Sequence, residues 1–457
     1  MKNFLISIFL VSLIFPVILC GALPAAQETD SLQNLEGATA HGIKMPIYHN
    51  ETLQFLIFAD KLTMPGQMLH AEAPVLDLVR KGVSVNDITY QNKAELYPLN
   101  ASHDRILKFW SERLHSDGLI HSPDAEIDRI NRTASGQQKV NFRSAFADID
   151  GKGFVAEYEK RIVRILDDVK IVVRERSAFD ELENPDNDGK KPLLSSLNGT
   201  SDSMLLDFEN NIIELTGNVK VSDPLQGNIT CDRMVVALGG EEREDSDGEG
   251  LMSSGQVRKV ECFGNVRIER GVTPKGDEQT QFAIGDYASY DPADGMLRLS
   301  GTQPLMRSGD NIIRGKSIVL SNTTGDVKID GDVHMSLLLP RNGISGSPEN
   351  NEQMTDIYSD AVTLERSKNL ATLAGNVRVD DPQMKLECLK MLLHLKETPG
   401  SSGKPLTGTP SGFGDSFGEK ITVEEIECFE NVNLERKQSL EELAANGMQT
   451  AHGNYAK

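Results

Sequence analysis

One ten-residue phrase returns five times along the chain, and it limits the fold more than any other feature. Its copies are IIELTGNVKV (212–221), KVECFGNVRI (259–268), DVKIDGDVHM (326–335), LATLAGNVRV (370–379) and EIECFENVNL (425–434). Apolar side chains alternate within each copy: Ile213, Leu215, Val219 and Val221 share one parity, as do Ala371, Leu373, Val377 and Val379. A period of two places one row of side chains on one face of a strand, whereas a helix needs apolar positions three and four apart. Each copy is therefore a predicted strand with one apolar and one wet face. The central Gly217 or Gly375 admits a kink, a bulge or a close backbone approach.

A second phrase accompanies the first: TCDRMVVAL (230–238), GDYASY (285–290), RGKSIVL (314–320), SDAVTL (359–364) and ECLKMLLHL (387–395), with FADKLTM (58–64) of the same type near the N-terminus. The repeating unit is two strands and a turn, the turns marked by DPADG (291–295) and NTTGD (322–326). Only HDRILKFWSERLHS (103–116) carries a helical pattern. The stretch DIDGKGFVAEYE (148–159) has the acid and glycine spacing of a calcium loop. Lys152 stands where an oxygen ligand belongs, and the chain continues into RIVRILDDVKIVV, in which Val163, Ile165, Val169, Ile171 and Val173 repeat the strand pattern. DIDGKG is thus expected to be a strand-to-strand turn, with Gly151 and Gly153 supplying its unusual backbone angles.

The chain begins MKNFLISIFLVSLIFPVILCGALPAAQ, the pattern of a secretory signal, expected over 1–22; lipidation of Cys20 is the less favoured reading. A net charge of −21 argues against nucleic acid as a partner. The other four cysteines obey the repeat: Cys231 and Cys388 fall at equivalent places in the second phrase, and Cys262 and Cys428 in the first. In an exported chain this predicts disulfides Cys231–Cys262 and Cys388–Cys428, each worth about 2–4 kcal/mol. No CxxC spacing points to metal, and no metal or cofactor is expected. The sequence has no GxSxG and no HExxH, and its nine histidines do not cluster, so it is not read as an enzyme; His334 and His394 are expected on strand faces.

LTGNVKVSDPLQGNITCDRMVVAL (215–238), VRKVECFGNVRIER (257–270) and GDYASYDPADGMLRLSGTQPLMRSGDNIIRGKSIVL (285–320) resemble the OstA-like repeat of the lipopolysaccharide-transport proteins that bridge the Gram-negative periplasm. MPIYHNETLQFLIFADKLTMPGQMLHAEAPVLDLV (45–79) is similar to the membrane-proximal, LptC-like subunit of that bridge. The resemblance implies an all-β fold of tandem open β-jellyroll modules built from antiparallel strands: an LptC-like region over 40–180, an LptA-like module over 195–340 and a second, truncated module over 353–457. It implies a periplasmic location and an apolar groove for the acyl chains of lipopolysaccharide or a similar amphiphile. The residues expected to line that groove are Val219, Val221, Val266, Ile268, Val333, Val377, Val379 and Val432. Other transport proteins would join by edge-strand addition, and copies of the chain could associate end to end. The chain departs from the family in its length, its paired cysteines and its long acidic or glycine-rich inserts. The competing expectation is an exported structural or adhesion-type β-repeat protein whose sandwich is closed and binds no lipid.

Overall fold

The computed structural model describes residues 38–49, 52–65, 68–90, 93, 103–113, 115–173, 197–223, 227–239, 257–270, 281–339, 353–396, 422–437 and 449–456. The expected signal segment, Cys20 and the charged or glycine-rich inserts lie outside these residues. No described helix is long and apolar enough to cross a membrane.

Strands make up nearly all of the described structure, in keeping with the all-β expectation. The N-terminal portion comprises β1 (Thr39–His49), β2 (Thr52–Thr63), β3 (Met68–Glu72), β4 (Val75–Val79), helix α1 (His103–Ser111), β5 (Ser116–His121), β6 (Asp124–Asp128), β7 (Thr133–Arg143), β8 (Ala147–Glu157) and β9 (Ile162–Val173). Next come β10 (Leu197–Ser201), β11 (Ser203–Asp207), β12 (Ile212–Asp223), β13 (Gly227–Leu238), β14 (Val257–Arg270), β15 (Gln281–Asp291), β16 (Met296–Ser300), β17 (Leu305–Ser308), β18 (Asn311–Arg314), β19 (Ser317–Ser321) and β20 (Val327–Leu339). The chain ends in β21 (Gln353–Glu365), β22 (Leu370–Asp380), β23 (Met384–Lys396), β24 (Thr422–Arg436) and β25 (Gln449–Ala456). Neighbours pair antiparallel, mostly as successive hairpins.

The recurring Gly-Asn is a bulge. Gly217 and Asn218 both adopt positive φ (79° and 47°), as do Gly264 and Asn265, Gly375 and Asn376, and the variant pair Gly331 and Asp332. At each pair the register slips: Thr216 opposes Arg233 but Val219 opposes Cys231, so two residues of β12 face one of β13. Bulges bend the strand that carries them. Here they recur strand after strand, with β10 and β11 broken at Asp202 along the same row, so the sheet creases across its width and folds over on its own apolar face. Leu215 before the bulge and Val219 after it consequently enter the same core.

That core is a single cluster running from Met45 to Val432. A second, smaller cluster lies on the other face of the N-terminal sheet, where Phe109 and Trp110 of α1 cover Leu56, Phe58 and Leu119.

Two local expectations are corrected. The helix ends at Ser111, short of 116, because Ser116 already opens β5 and pairs with Val79. DIDGKG is not a turn: it lies within β8, and the chain reverses afterwards, at Tyr158–Arg161. Gly153 does adopt a positive φ of 71°, at the point where β8 faces the bulge of β7. Its neighbouring acids face strand β7, where Asp150 accepts from Arg143 Nη2 at 2.7 Å and from Asn141.

Candidate functional site

All eight residues expected to line a groove point inward. Val219, Val221, Val266, Val333, Val377, Val379 and Val432 are buried in the main core, and Ile268 is half-buried against it. Burial distinguishes them little from one another, but free volume does. A cavity of about 120 Å3 lies between the creased leaves formed by β20 to β24, and of the eight only Val379 lines it. Its other walls include Met335, Leu337, Leu373, Leu386 and Met391. Thr355 and Asp381, hydrogen bonded to each other at 2.8 Å, are the polar side chains among its described lining residues. The sequence pointed to the valine beside each bulge, which every copy shares. It missed the long Met and Leu side chains that frame the void, because alternation marks which face a residue is on and not how well that face is filled.

The second-phrase strands also depart from strict alternation. Cys231 and Met234, three residues apart, are both buried, as are Cys388 and Met391. Each of these strands takes up the bulge of its neighbour, which shifts the inward parity by one. The same shift brings Cys231 beside Cys262 and Cys388 beside Cys428, the two pairs anticipated from the repeat. The four are free, buried thiols, hydrogen bonded within each pair, and no disulfide links them. Cys262 donates its thiol hydrogen to Cys231 and Cys428 to Cys388, and that hydrogen bond, with burial second, pushes both donor thiols up.

The densest group of buried titratable side chains sits under α1. Asp77 on β4 accepts from Ser116 Oγ at 2.6 Å and from the hydroxyl of Tyr90, and Tyr90 Oη lies 3.0 Å from His115 Nε2. Asp117 is clamped between Arg80 Nε at 3.1 Å and Arg161 Nη2 at 2.8 Å, and Arg161 also donates to the Val79 carbonyl at 3.0 Å. Burial pushes Asp77 up to about 7 and holds His115 down at about 4. A nucleophilic triad needs the imidazole between hydroxyl and carboxylate. Here Ser116 donates directly to Asp77 and His115 meets Tyr90, so the group ties Tyr90 and His115 to the sheet and has no triad geometry.

Residues 198–326, from β10 to the turn before β20, match the model of the LptA/(LptD N-terminal domain) LPS transport protein family. No curated protein sequence matches the chain. Sixteen solved chains match it. Among them is LptH, the LptA homologous periplasmic component of the conserved lipopolysaccharide transport device from Pseudomonas aeruginosa, 18% identical with a TM-score of 0.23, over 35% of this chain and 92% of that one. The matched stretch holds the Gly-Asn bulges at 217–218 and 264–265 and the Tyr-Asp-Pro turn at 290–292. Over residues 198–326, then, the chain is similar to the LptA/(LptD N-terminal domain) family of LPS transport proteins.

Proposed function

We propose that this protein binds lipopolysaccharide, or an amphiphile with similar acyl chains, in the interior of its creased sheet and passes it through the periplasm toward the outer membrane. The observation that carries the reading is the apolar cavity between β20 and β24, which a hydrocarbon chain could fill. Apolar cavities of about 150 Å3 take up benzene, and each methylene removed from water is worth about 0.8 kcal/mol. A cavity of about 120 Å3 is on that scale for part of one chain. β1 pairs only with β2, and β25 only with β24, among the described strands. Each is an edge that supports strand addition by another transport protein or by a second copy.

The closed, structural reading draws on the tight packing elsewhere: Val266 is 0% and Val219 1% exposed. Photocrosslinking separates the two. With p-benzoylphenylalanine at Val379 or at the half-buried Leu337, both on the cavity wall, cells that make lipopolysaccharide should yield an adduct. The same probe at Val172, exposed on the outer face, should yield none. Absence of an adduct from both cavity positions overturns the transport reading in favour of the structural one.

A further inference from the structure

We propose, building on the acyl-chain reading above, that the cavity between β20 and β24 selects chains that carry a hydrogen-bond donor, a hydroxyl or an amide N–H, at their head end. Two observations carry this: where the polar lining residues Thr355 and Asp381 sit in the cavity, and what they can offer a ligand.

The cavity has a direction. Ile329 and Leu373 on its wall precede the bulges of β20 and β22, and Met335 and Val379 follow them, so it is walled by both leaves of the crease. Thr355 and Asp381 lie at the end of one leaf that is farthest from the crease. There β22 reverses into β23, and Asp381 and Met384 exchange backbone hydrogen bonds of 3.0 and 3.3 Å. From Thr355 to Ser359, where β21 meets the crease, the strand covers about 13 Å at about 3.3 Å per residue. A hydrocarbon tail gains most by lying toward the closed, apolar crease, which leaves the head end of the chain beside Thr355.

Both polar side chains present acceptors. Thr355 commits its one hydroxyl hydrogen to Asp381 Oδ2 at 2.8 Å, which leaves lone pairs on Oγ1, and a carboxylate only accepts. Thr355 is 3% exposed, so a head group beside it meets little water. A polar group that loses water without gaining a partner is costly to bury. A hydroxyl or an amide N–H at this end donates to Thr355 Oγ1. An ester or a free carboxylate brings acceptors to acceptors and is disfavoured.

An earlier copy of the same strands shows that the fold itself does not require this hydroxyl. Asp356 on β21 pairs with Asp380 on β22 as Asn198 on β10 pairs with Ser222 on β12. One place further out, Asp381 matches Asp223, since VRVDDP (377–382) aligns with VKVSDP (219–224), and Thr355 matches Leu197. Leu197 packs against the apolar core. The acid thus recurs, whereas the threonine beside it belongs to the copy that holds the cavity.

The test is displacement of a bound fluorescent hydrophobic dye, aminoanthracene, by three uncharged probes of one chain length: methyl laurate, its beta-hydroxy derivative and lauramide. The hydroxylated ester and the amide should bind the wild type about fivefold more tightly than methyl laurate, the scale of one net hydrogen bond. A cavity with no partner for the donor would bind them more weakly than the plain ester, because their polar groups lose water. Thr355→Val should remove the preference and Thr355→Ser should keep it. A preference for one of the two donors alone supports the inference and identifies the group. Equal or weaker binding of both donor probes by the wild type overturns it and leaves the acyl-chain reading standing. A preference that survives in Thr355→Val also overturns it, by placing the partner of the donor elsewhere. Displacement by none of the three overturns the acyl-chain reading and this inference with it.

Discussion

Gly375 holds φ at +75°, and a Cβ placed on it would collide with the Asp360 carboxylate on the neighbouring strand. Asn376 follows in the same left-handed region and donates from Nδ2 to that carboxylate at 2.9 Å. The same arrangement recurs with Asp202 and Asn218 at 2.9 Å and with Asp232 and Asn265 at 2.8 Å. In the third copy the charges are exchanged. Asp332 takes the Asn position, and Lys316 crosses to it at 2.7 Å with its stem against Gly331. Both ends of that pair are exposed, so the ion pair itself adds little. A left-handed non-glycine residue costs about 1–2 kcal/mol, and the collision at 375 adds to it. Gly375→Ala is therefore expected to lower stability by about 2 kcal/mol or more, read from the urea midpoint; an unchanged midpoint would show that the bulge is not fixed by its glycine. The glycine could be recognised in the sequence as a place where a strand bends. Its acidic partner could not, because Asp232 and Asn265 are 33 positions apart and meet only once the strands pair.

Among the elements, the helical cover and the strands beneath it make the strongest pH statement. Asp77 is fully enclosed; burial raises it from 3.8 to about 7, against the lowering effect of the Ser116 hydrogen bond. Between those values the folded protein keeps a proton that the unfolded chain has released, so its contribution is full below about pH 4. It falls as pH rises through about 7, by about 1.4 kcal/mol per unit. His115 and His121 act in the opposite sense. Burial first, and nearby arginines next, lower both from 6.5 to about 4, so their neutral folded forms gain stability as pH rises across that window. Asp77→Asn removes only the first slope. Urea titrations at several pH values should show the variant gaining on the wild type from pH 4 to 7, and a pH-independent difference would mean that Asp77 carries no proton in the fold. The helix itself was legible from its apolar spacing. The buried acid near it was not, since nothing in VLDLV itself shows that Tyr90 and Ser116 will close over Asp77.

On the scale of the molecule, the repeat showed which segments are strands and which face is apolar, but not how the copies are joined. β9 pairs with both β10 and β11, so the N-terminal portion passes into the repeats without a gap in hydrogen bonding. β20 and β21 stay paired from Val327 opposite Leu364 to Leu339 opposite Gln353, with one slip at the Gly331-Asp332 bulge, across the insert where the sequence suggested that one module ends and the next begins. The cavity is walled from both sides of that insert, by Ile329 on β20 and Leu373 on β22. In stacked repeats each unit is stabilised mainly by its neighbours, and a local defect spreads as far as the coupling between units reaches. Ile329 is 1% and Leu373 0% exposed, and truncating such side chains to alanine costs about 2–5 kcal/mol. If the core is shared, Ile329→Ala should speed hydrogen exchange in β22 and β24 as well as in β20, and Leu373→Ala should reach back to β16 and β19. Exchange changes that stop at residue 340 in one variant and begin at 353 in the other would instead mean two modules that open independently, with the cavity lying on a seam between them.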